Sequence, residues 1–208
     1  KSLFKKYFWY YLILLVVILF VGFPLFWMAI SSFKPSVELF KKPPRIFPQN
    51  PTLTWYTRAF SNSIVVRYFV NSFIVSIAAM IINMVVATMG AYSLASFKYK
   101  GRRLIMVTVL SAYCIPPIML MIPLYRIIAR LGLNSSYIGV VIGHLTVTLP
   151  FCVWLLIPFF KKIPNEMKEA AIIDGASAIK IFWDIVLPLS VHGILSAGIM
   201  VFILSWNE

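Results

Sequence analysis

Acidic residues concentrate in only one part of this chain, the stretch IPNEMKEAAIIDGASAIKIFWDIVLP from Ile163 to Pro188. Within it, Glu169 stands directly beside Ala170 and Ala171, so a carboxylate is presented on a smooth surface of small side chains. Such a surface suits insertion into a cleft on another protein and pairing with an Arg or Lys there. A hairpin that merely lies on the membrane is the alternative, although acidic side chains are poorly suited to anionic headgroups.

Other residues able to do chemistry are few: His144, His192, Cys114 and Cys152. They are not accompanied by HExxH, by GxSxG or by paired carboxylates within apolar segments, so the rival hypothesis of an intramembrane enzyme lacks its usual motifs. The two isolated thiols do not predict a disulfide or a metal site and are expected to be small packing residues. The chain also lacks GxxxxGKS and GxxxxGKT, so it cannot hold ATP through a P-loop.

The acidic stretch predicts a short helix that ends at a glycine. Pro164 suits a first helical turn, and Glu166 and Glu169 favour the positive end of the helix dipole. Asp174 is followed by Gly175, a natural stop about ten residues on. The resulting helix is about 15 Å long, far too short to cross a bilayer.

A second short helix is predicted directly after the glycine. Ser177 can cap its beginning, and its apolar side is predicted to carry Ile181, Phe182 and Ile185. Pro188 is expected to end this helix and to lead into the next apolar segment. The prediction is therefore helix, glycine bend and helix, held at the membrane surface.

These elements must be positioned by the rest of the chain, whose composition indicates a membrane protein. Of its 208 residues, 61% are hydrophobic and 12% are charged, whereas soluble domains carry about 25% charged residues. The apolar residues are gathered into runs long enough to span a bilayer, which takes roughly 20 helical residues. The predicted fold is all-α and polytopic, with five spans: Tyr7 to Ile30, Tyr68 to Ser96, Leu104 to Ile128, Tyr137 to Phe160 and Leu189 to Trp206.

The net charge of +13 is interpreted as membrane topology rather than nucleic-acid binding, because the basic residues lie almost wholly between the apolar runs. Two dense basic clusters are predicted to face the cytosol, which also puts loop 161–188 inside: Lys1, Lys5 and Lys6, and Lys98, Lys100, Arg102 and Arg103. Loop 34–67 is then extracytoplasmic, although it carries six basic residues of its own. We give more weight to the two dense clusters, because they lie directly beside the helix ends, than to the basic residues spread over loop 34–67.

Small and polar residues recur at steps of three or four in the second segment: Ser72, Ser76, Ala79, Asn83, Ala87, Ala91 and Ala95. Such a stripe, like Gly139 and Gly143 in the fourth segment, favours close helix packing, with the lining of a polar passage as the alternative. Prolines are expected to bend their helices, at positions Pro116, Pro117, Pro123 and Pro150. The candidate pathway residues, polar and at membrane depth, are Asn71, Asn83, Tyr113 and His144.

The acidic stretch resembles the EAA loop of permeases of ATP-binding-cassette (ABC) importers. The matching residues are Glu169, Ala170, Ala171, Gly175, Ile185, Leu187 and Pro188, and Asp174 before the glycine is similar to the carbohydrate branch and its smaller maltose-type permease. Weaker similarities run along most of the chain, from SSFKPSVELF to the closing SWNE. His192 is one departure, because the family usually has proline there.

The resemblance implies a single transmembrane permease domain over residues 1–208, in a bacterial or archaeal inner membrane. Family members have six spans in this subunit, so one C-terminal span is expected beyond SWNE. The implied partners are ATPase subunits that bind ATP and dock on the EAA loop, a second homologous permease and an extracytoplasmic solute-binding protein that delivers a sugar. The implied docking residues are those of the loop, with Glu166 included.

Two alternatives stay open within transport. One is an ABC permease for a solute other than a sugar, since the sugar assignment rests on resemblance alone. The other is a secondary transporter, but such carriers usually place an ionisable group at mid-membrane and these segments hold almost none.

Overall fold

The computed structural model describes residues 2–208, with side chains from residue 7 onward. The side chains of Lys1, Lys5 and Lys6, one of the two predicted cytosolic clusters, therefore lie outside the described residues. Every regular element that the structure describes is a helix: α1 Ser2–Ser31, α2 Ser36–Leu39, α3 Thr54–Ser61, α4 Ser63–Ser96, α5 Arg102–Tyr113, α6 Pro117–Arg130, α7 Tyr137–Lys161, α8 Asn165–Ile173, α9 Ala178–Ile181 and α10 Leu187–Trp206. A π-helical turn, Phe182–Val186, joins the last two.

Four described helical segments are long and apolar enough to cross a bilayer: Tyr7–Ser31, Ser63–Ser96, Tyr137–Lys161 and Ala178–Trp206. A fifth span is present if α5 and α6 together make one. The predicted all-α polytopic membrane fold is thus confirmed.

The third predicted span, Leu104 to Ile128, is not one continuous helix. Its two halves, α5 and α6, meet at 101°. The break falls at Pro116, whose ψ of 130° leaves the helical region, and Pro117 then starts α6. A residue before proline is disfavoured in the α conformation, so two successive prolines turn the expected bend into a break. Pro123 and Pro150, in contrast, lie inside helices that continue past them.

The chain divides into two compact units, one up to Phe69 and one from Val70 to Glu208. The first unit contains α1 and the predicted loop 34–67, which carries the short helices α2 and α3. The second contains a hydrophobic core built largely from α4, α7 and α10, in which Ala87, Leu156, Val186 and Val201 are fully buried.

The small-residue stripe of α4 packs into this second unit. Most of its members are buried, namely Ser76, Ala79, Asn83, Ala87 and Ala91, whereas Ser72 is exposed and Ala95 is half-buried. The packing interpretation is therefore confirmed for the middle of the stripe. Cys152 is also a buried packing residue, but Cys114 is exposed, because it follows the last turn of α5 where the chain breaks.

The two glycines of α7 differ in what surrounds them. A methyl group at Gly139 would overlap the carbonyl oxygen of Leu133 and come within 2.9 Å of Ile128 Cγ2. A methyl group at Gly143 would have Leu124 Cδ2 as its nearest neighbour, at 4.0 Å. Close backbone approach therefore requires glycine at the first position and not at the second.

We expect Gly139→Ala to destabilise the protein by about 1–3 kcal/mol, because the connection between α6 and α7 must open to admit the methyl group. Gly143→Ala is the matched control and is expected to change stability by less than about 0.5 kcal/mol. Thermal unfolding of both variants in one detergent measures the difference. Equal midpoints for Gly139→Ala and the parent protein would contradict the tight approach.

Candidate functional site

The acidic stretch forms a helical hairpin whose bend lies at Gly175. Helix α8 begins after Pro164 with Glu166 in its first turn, and it ends at Ile173. Gly175 has φ = +78°, the left-handed conformation that glycine adopts without strain. The N–H of Ala176 donates to the oxygen of Ala171 at 2.9 Å and closes the turn. The predicted glycine bend is confirmed.

The second arm begins as predicted but does not end as predicted. The Ser177 hydroxyl caps α9 by accepting a hydrogen bond from the N–H of Lys180 at 3.3 Å. Pro188 does not end this arm, which continues through the π-helical turn into α10. In that turn the N–H of Leu187 donates to the oxygen of Phe182, five residues back. The wider turn accommodates the proline, because a π-turn inside an α-helix changes the local hydrogen-bond pattern without interrupting the helix.

The inner side of the hairpin is fixed to the helix core of the second unit. Ile181 is buried, and the ring of Phe182 lies 5.2 Å from that of Tyr92 on α4. Lys168 on α8 donates to the Ser96 hydroxyl, at the end of α4, at 3.1 Å. Partial burial lowers the pKa of Lys168 below its ordinary value. This anchoring leaves the opposite side of the hairpin free.

The outer side carries the predicted carboxylates together with apolar residues. Glu166, Glu169, Ala170 and Asp174 are exposed. Among the described residues, none of the three carboxylates is within hydrogen-bonding or ion-pairing distance of a partner. Large apolar side chains beside them are exposed as well, namely Met167, Ile172, Ile173 and Ile179. Unpaired charge beside exposed aliphatic surface is the composition of a protein-docking face.

Three residues predicted for the same site lie apart from this outer face. Ile185 and Leu187 are half-buried in the π-turn and at the start of α10, and Pro188 is exposed on α10. Their place is the continuous helix that links the hairpin to the last span.

Of the four candidate pathway residues, only His144 is among those that line a cavity, and Thr148 links its backbone to Asn83. His144 lines a cavity of about 380 Å³ between α6, α7 and the end of α10. Asn83 instead packs α4 against α7, because its amide donates to Thr148 Oγ1 at 2.9 Å. Asn71 accepts a hydrogen bond from the Tyr137 hydroxyl at 2.8 Å, and the ring of Tyr113 lies 5.5 Å from that of Phe151, tilted by 33°.

The cavity contains polar residues that the sequence did not point to: Asn134, Thr148, Tyr125 and Glu208. Of these four residues, only Glu208 could have been singled out from the sequence, because it is an acidic residue directly after an apolar run. The remaining wall is mostly aliphatic, so the cavity combines an apolar surface with a few hydrogen-bonding groups, as small-molecule sites do.

Comparison with known proteins assigns the chain to a family. The model of the family described as "binding-protein-dependent transport system inner membrane component" matches residues 83–208, which is more than half of the chain and includes the hairpin and all the residues that line the cavity. The chain belongs to this family. Its placement as a multi-pass inner-membrane component agrees with the predicted location.

Curated relatives support the same assignment. The chain is 33% identical to the sulfoquinovosyl glycerol transport system permease protein SmoH of Agrobacterium fabrum over 89% of its length and 65% of that protein. It is 35% identical to the inner membrane ABC transporter permease protein YcjP of Escherichia coli, over 89% of the chain and 67% of the relative. The trehalose/maltose transport system permease protein MalG of Thermococcus litoralis is 32% identical over the same shares. The chain thus spans about two thirds of the length of these family members.

A solved structure shows the same fold. The crystal structure of a bacterial ABC transporter involved in the import of the acidic polysaccharide alginate superposes with a TM-score of 0.84. The match covers 100% of this chain and 73% of the other, at 20% sequence identity.

Proposed function

We propose that this chain is a permease subunit of an ABC importer, coupled to ATP hydrolysis in a partner subunit through the α8–α9 hairpin. The observation that carries the proposal is the outer face of the hairpin, with Glu166, Glu169 and Asp174 unpaired beside exposed isoleucines. The inner face is anchored by Lys168 and Ile181, so a partner meets a fixed surface. The cytosolic side of this hairpin and the extracytoplasmic side of loop 34–67 stay predictions.

The proposed cargo is a sugar or an oligosaccharide, carried along a path shared with a second, homologous permease. The names of relatives, which include sulfoquinovosyl glycerol, diacetylchitobiose and trehalose/maltose systems, support this class. In the cavity, Asn134, His144 and Glu208 supply donors and acceptors suited to hydroxyl groups. An extracytoplasmic solute-binding protein would deliver the sugar.

Sugar uptake into vesicles that contain the complete importer tests the proposal. Gly143 lines the cavity with no atom closer than 4.0 Å to an added methyl group, so a larger side chain there fills the cavity without displacing backbone. We expect Gly143→Leu to lower ATP-driven uptake by about tenfold, or roughly 1.4 kcal/mol in the barrier. Gly143→Ala is the control and should transport normally.

Two results would contradict the proposal at different levels. If Gly143→Leu transports as well as the parent protein, the cavity is not on the path. If the parent complex shows no ATP-driven uptake with any sugar-loaded binding protein, the assignment of a sugar as cargo is wrong; if it shows no uptake of any solute, the transport function itself is wrong.

A further inference from the structure

The segment between α1 and α3 is a closed loop rather than a loose linker. The Glu38 carboxylate accepts the backbone N–H groups of Gln49 at 2.9 Å and Asn50 at 3.2 Å. The N–H of Thr52 donates to the oxygen of Phe33 at 2.8 Å. These bonds fix residues 40–47 as the tip of the loop.

The loop folds back along α1. The ring of Phe47, in the tip, meets that of Phe26 edge-on at 6.4 Å. Lys34 is almost completely buried, with its ammonium 4.3 Å from the Trp27 ring and donating to the oxygen of Arg45 at 2.7 Å. Phe26 precedes the end of α1 at Ser31 by five residues, which is about 7 Å along a helix. Because Tyr7–Ser31 is a candidate membrane span, Phe47 lies level with the last turns of that span, near its end.

The tip has the composition of a membrane-surface element. Phe40 is 84% exposed and Phe47 67%, and Ile46 is also exposed. The basic residues Lys41, Lys42 and Arg45 lie between Phe40 and Ile46, and residues 40–47 include no acidic residue. Among the described residues, the three basic side chains donate no hydrogen bond within the chain.

We propose that residues 40–47 anchor the protein in the interface of the bilayer at the end of α1. Phe40 and Phe47 enter the boundary between headgroups and acyl chains, which amphipathic elements penetrate by about 5–10 Å. The three basic side chains of the tip contact anionic lipid headgroups. The occupant is lipid rather than a solute-binding protein, because the tip folds back along the last turns of a candidate membrane span instead of extending away from it. This contact also gives a role to Lys41, Lys42 and Arg45, which lie in a loop predicted to be extracytoplasmic, whereas the positive-inside rule expects basic residues on the cytosolic side.

Depth measurement with a spin label tests the anchor. A label at Phe40→Cys is compared with one at Gln49→Cys, an exposed position on the same loop, in a Cys114→Ser and Cys152→Ala background. The full protein is placed in nanodiscs of phosphatidylglycerol and phosphatidylcholine, without any binding protein. We expect the label at position 40 to be about threefold less accessible to a water-soluble nickel chelate, and more accessible to oxygen, as for groups below the headgroups.

Equal nickel accessibility at both positions would overturn the anchor. Protection of position 40 only after a solute-binding protein is added would overturn it as well and would assign the tip to that protein. The contact with anionic headgroups is tested with Lys41→Gln, Lys42→Gln and Arg45→Gln combined, which leaves the backbone oxygen of Arg45 in place. We expect this variant to expose the label in the mixed lipid and to behave like the parent protein in phosphatidylcholine alone, whose headgroups carry no net charge. No difference between lipids for either protein would overturn the contact with anionic headgroups.

Discussion

Glu169→Lys is expected to abolish most ATP-driven uptake while leaving the protein inserted in the membrane. Glu169 is exposed on the outer face of α8 and has no partner within the described chain, so the substitution costs no internal contact. A carboxylate that pairs with a cation on the ATPase contributes about 1.5–3 kcal/mol. Replacing it with an ammonium group removes that contribution and adds repulsion, so ATPase association should fall by roughly tenfold to a hundredfold or more.

Co-purification of the ATPase and uptake into vesicles measure the two consequences of Glu169→Lys. Glu169→Gln is the matched variant, because it keeps the size and polarity of the side chain and removes only the charge; an intermediate loss is expected. Normal uptake by Glu169→Lys would refute the docking role of this residue.

Substitutions at Gly175 should weaken ATPase association in the order Asn, Ala, Val, with Val the most severe. The φ of +78° places this residue in the left-handed region, and a β-carbon there would have no atom within 4 Å. The cost is therefore conformational within this chain, about 1–2 kcal/mol for an ordinary residue and less for Asn. A branched residue such as Val is a stronger outlier in this region.

Gly132 provides the matched control for this series. It has φ = +71°, and its added β-carbon would also meet nothing within 4 Å, but it lies before α7 whereas the hairpin follows α7. Gly132→Val should lose comparable stability and keep ATPase association. If the Ala variant at position 175 retains more ATPase association than the Asn variant, glycine is needed because the partner's backbone approaches it closely. Full ATPase association of Gly175→Val would exclude both the left-handed conformation and the close approach as the reason for glycine.

Local patterns in the sequence were sufficient to predict the hairpin. The left-handed turn at Gly175 and the cap at Ser177 depend on residues within one or two turns, and both are present. Burial of the small-residue stripe of α4 could be predicted equally well, because burial of small side chains follows helical periodicity. The sequence therefore predicted the elements of the hairpin, whereas the docking of its outer face on an ATPase stays a prediction.

Features that depend on distant contacts or on the geometry of proline were not predictable in the same way. Pro188 was expected to end a helix, but the helix continues through it by way of a π-turn. The two successive prolines that begin at Pro116 break a span that was expected only to bend. Asn83 and His144 were indistinguishable as polar residues at membrane depth. Only the fold pairs the first with Thr148 and leaves the second in a cavity with Glu208.

The π-helical turn has a mechanical consequence. It makes Ala178–Trp206 a single helical rod of 29 residues, about 43 Å long, with the hairpin arm at one end. Near the other end, Leu204 and then Glu208, two residues beyond the helix, line the cavity. No glycine bend or non-helical linker interrupts this rod. A displacement of α9 by a docked partner would therefore reach the cavity wall as tilt or translation of one continuous helix, unless the rod bends at the π-turn and Pro188.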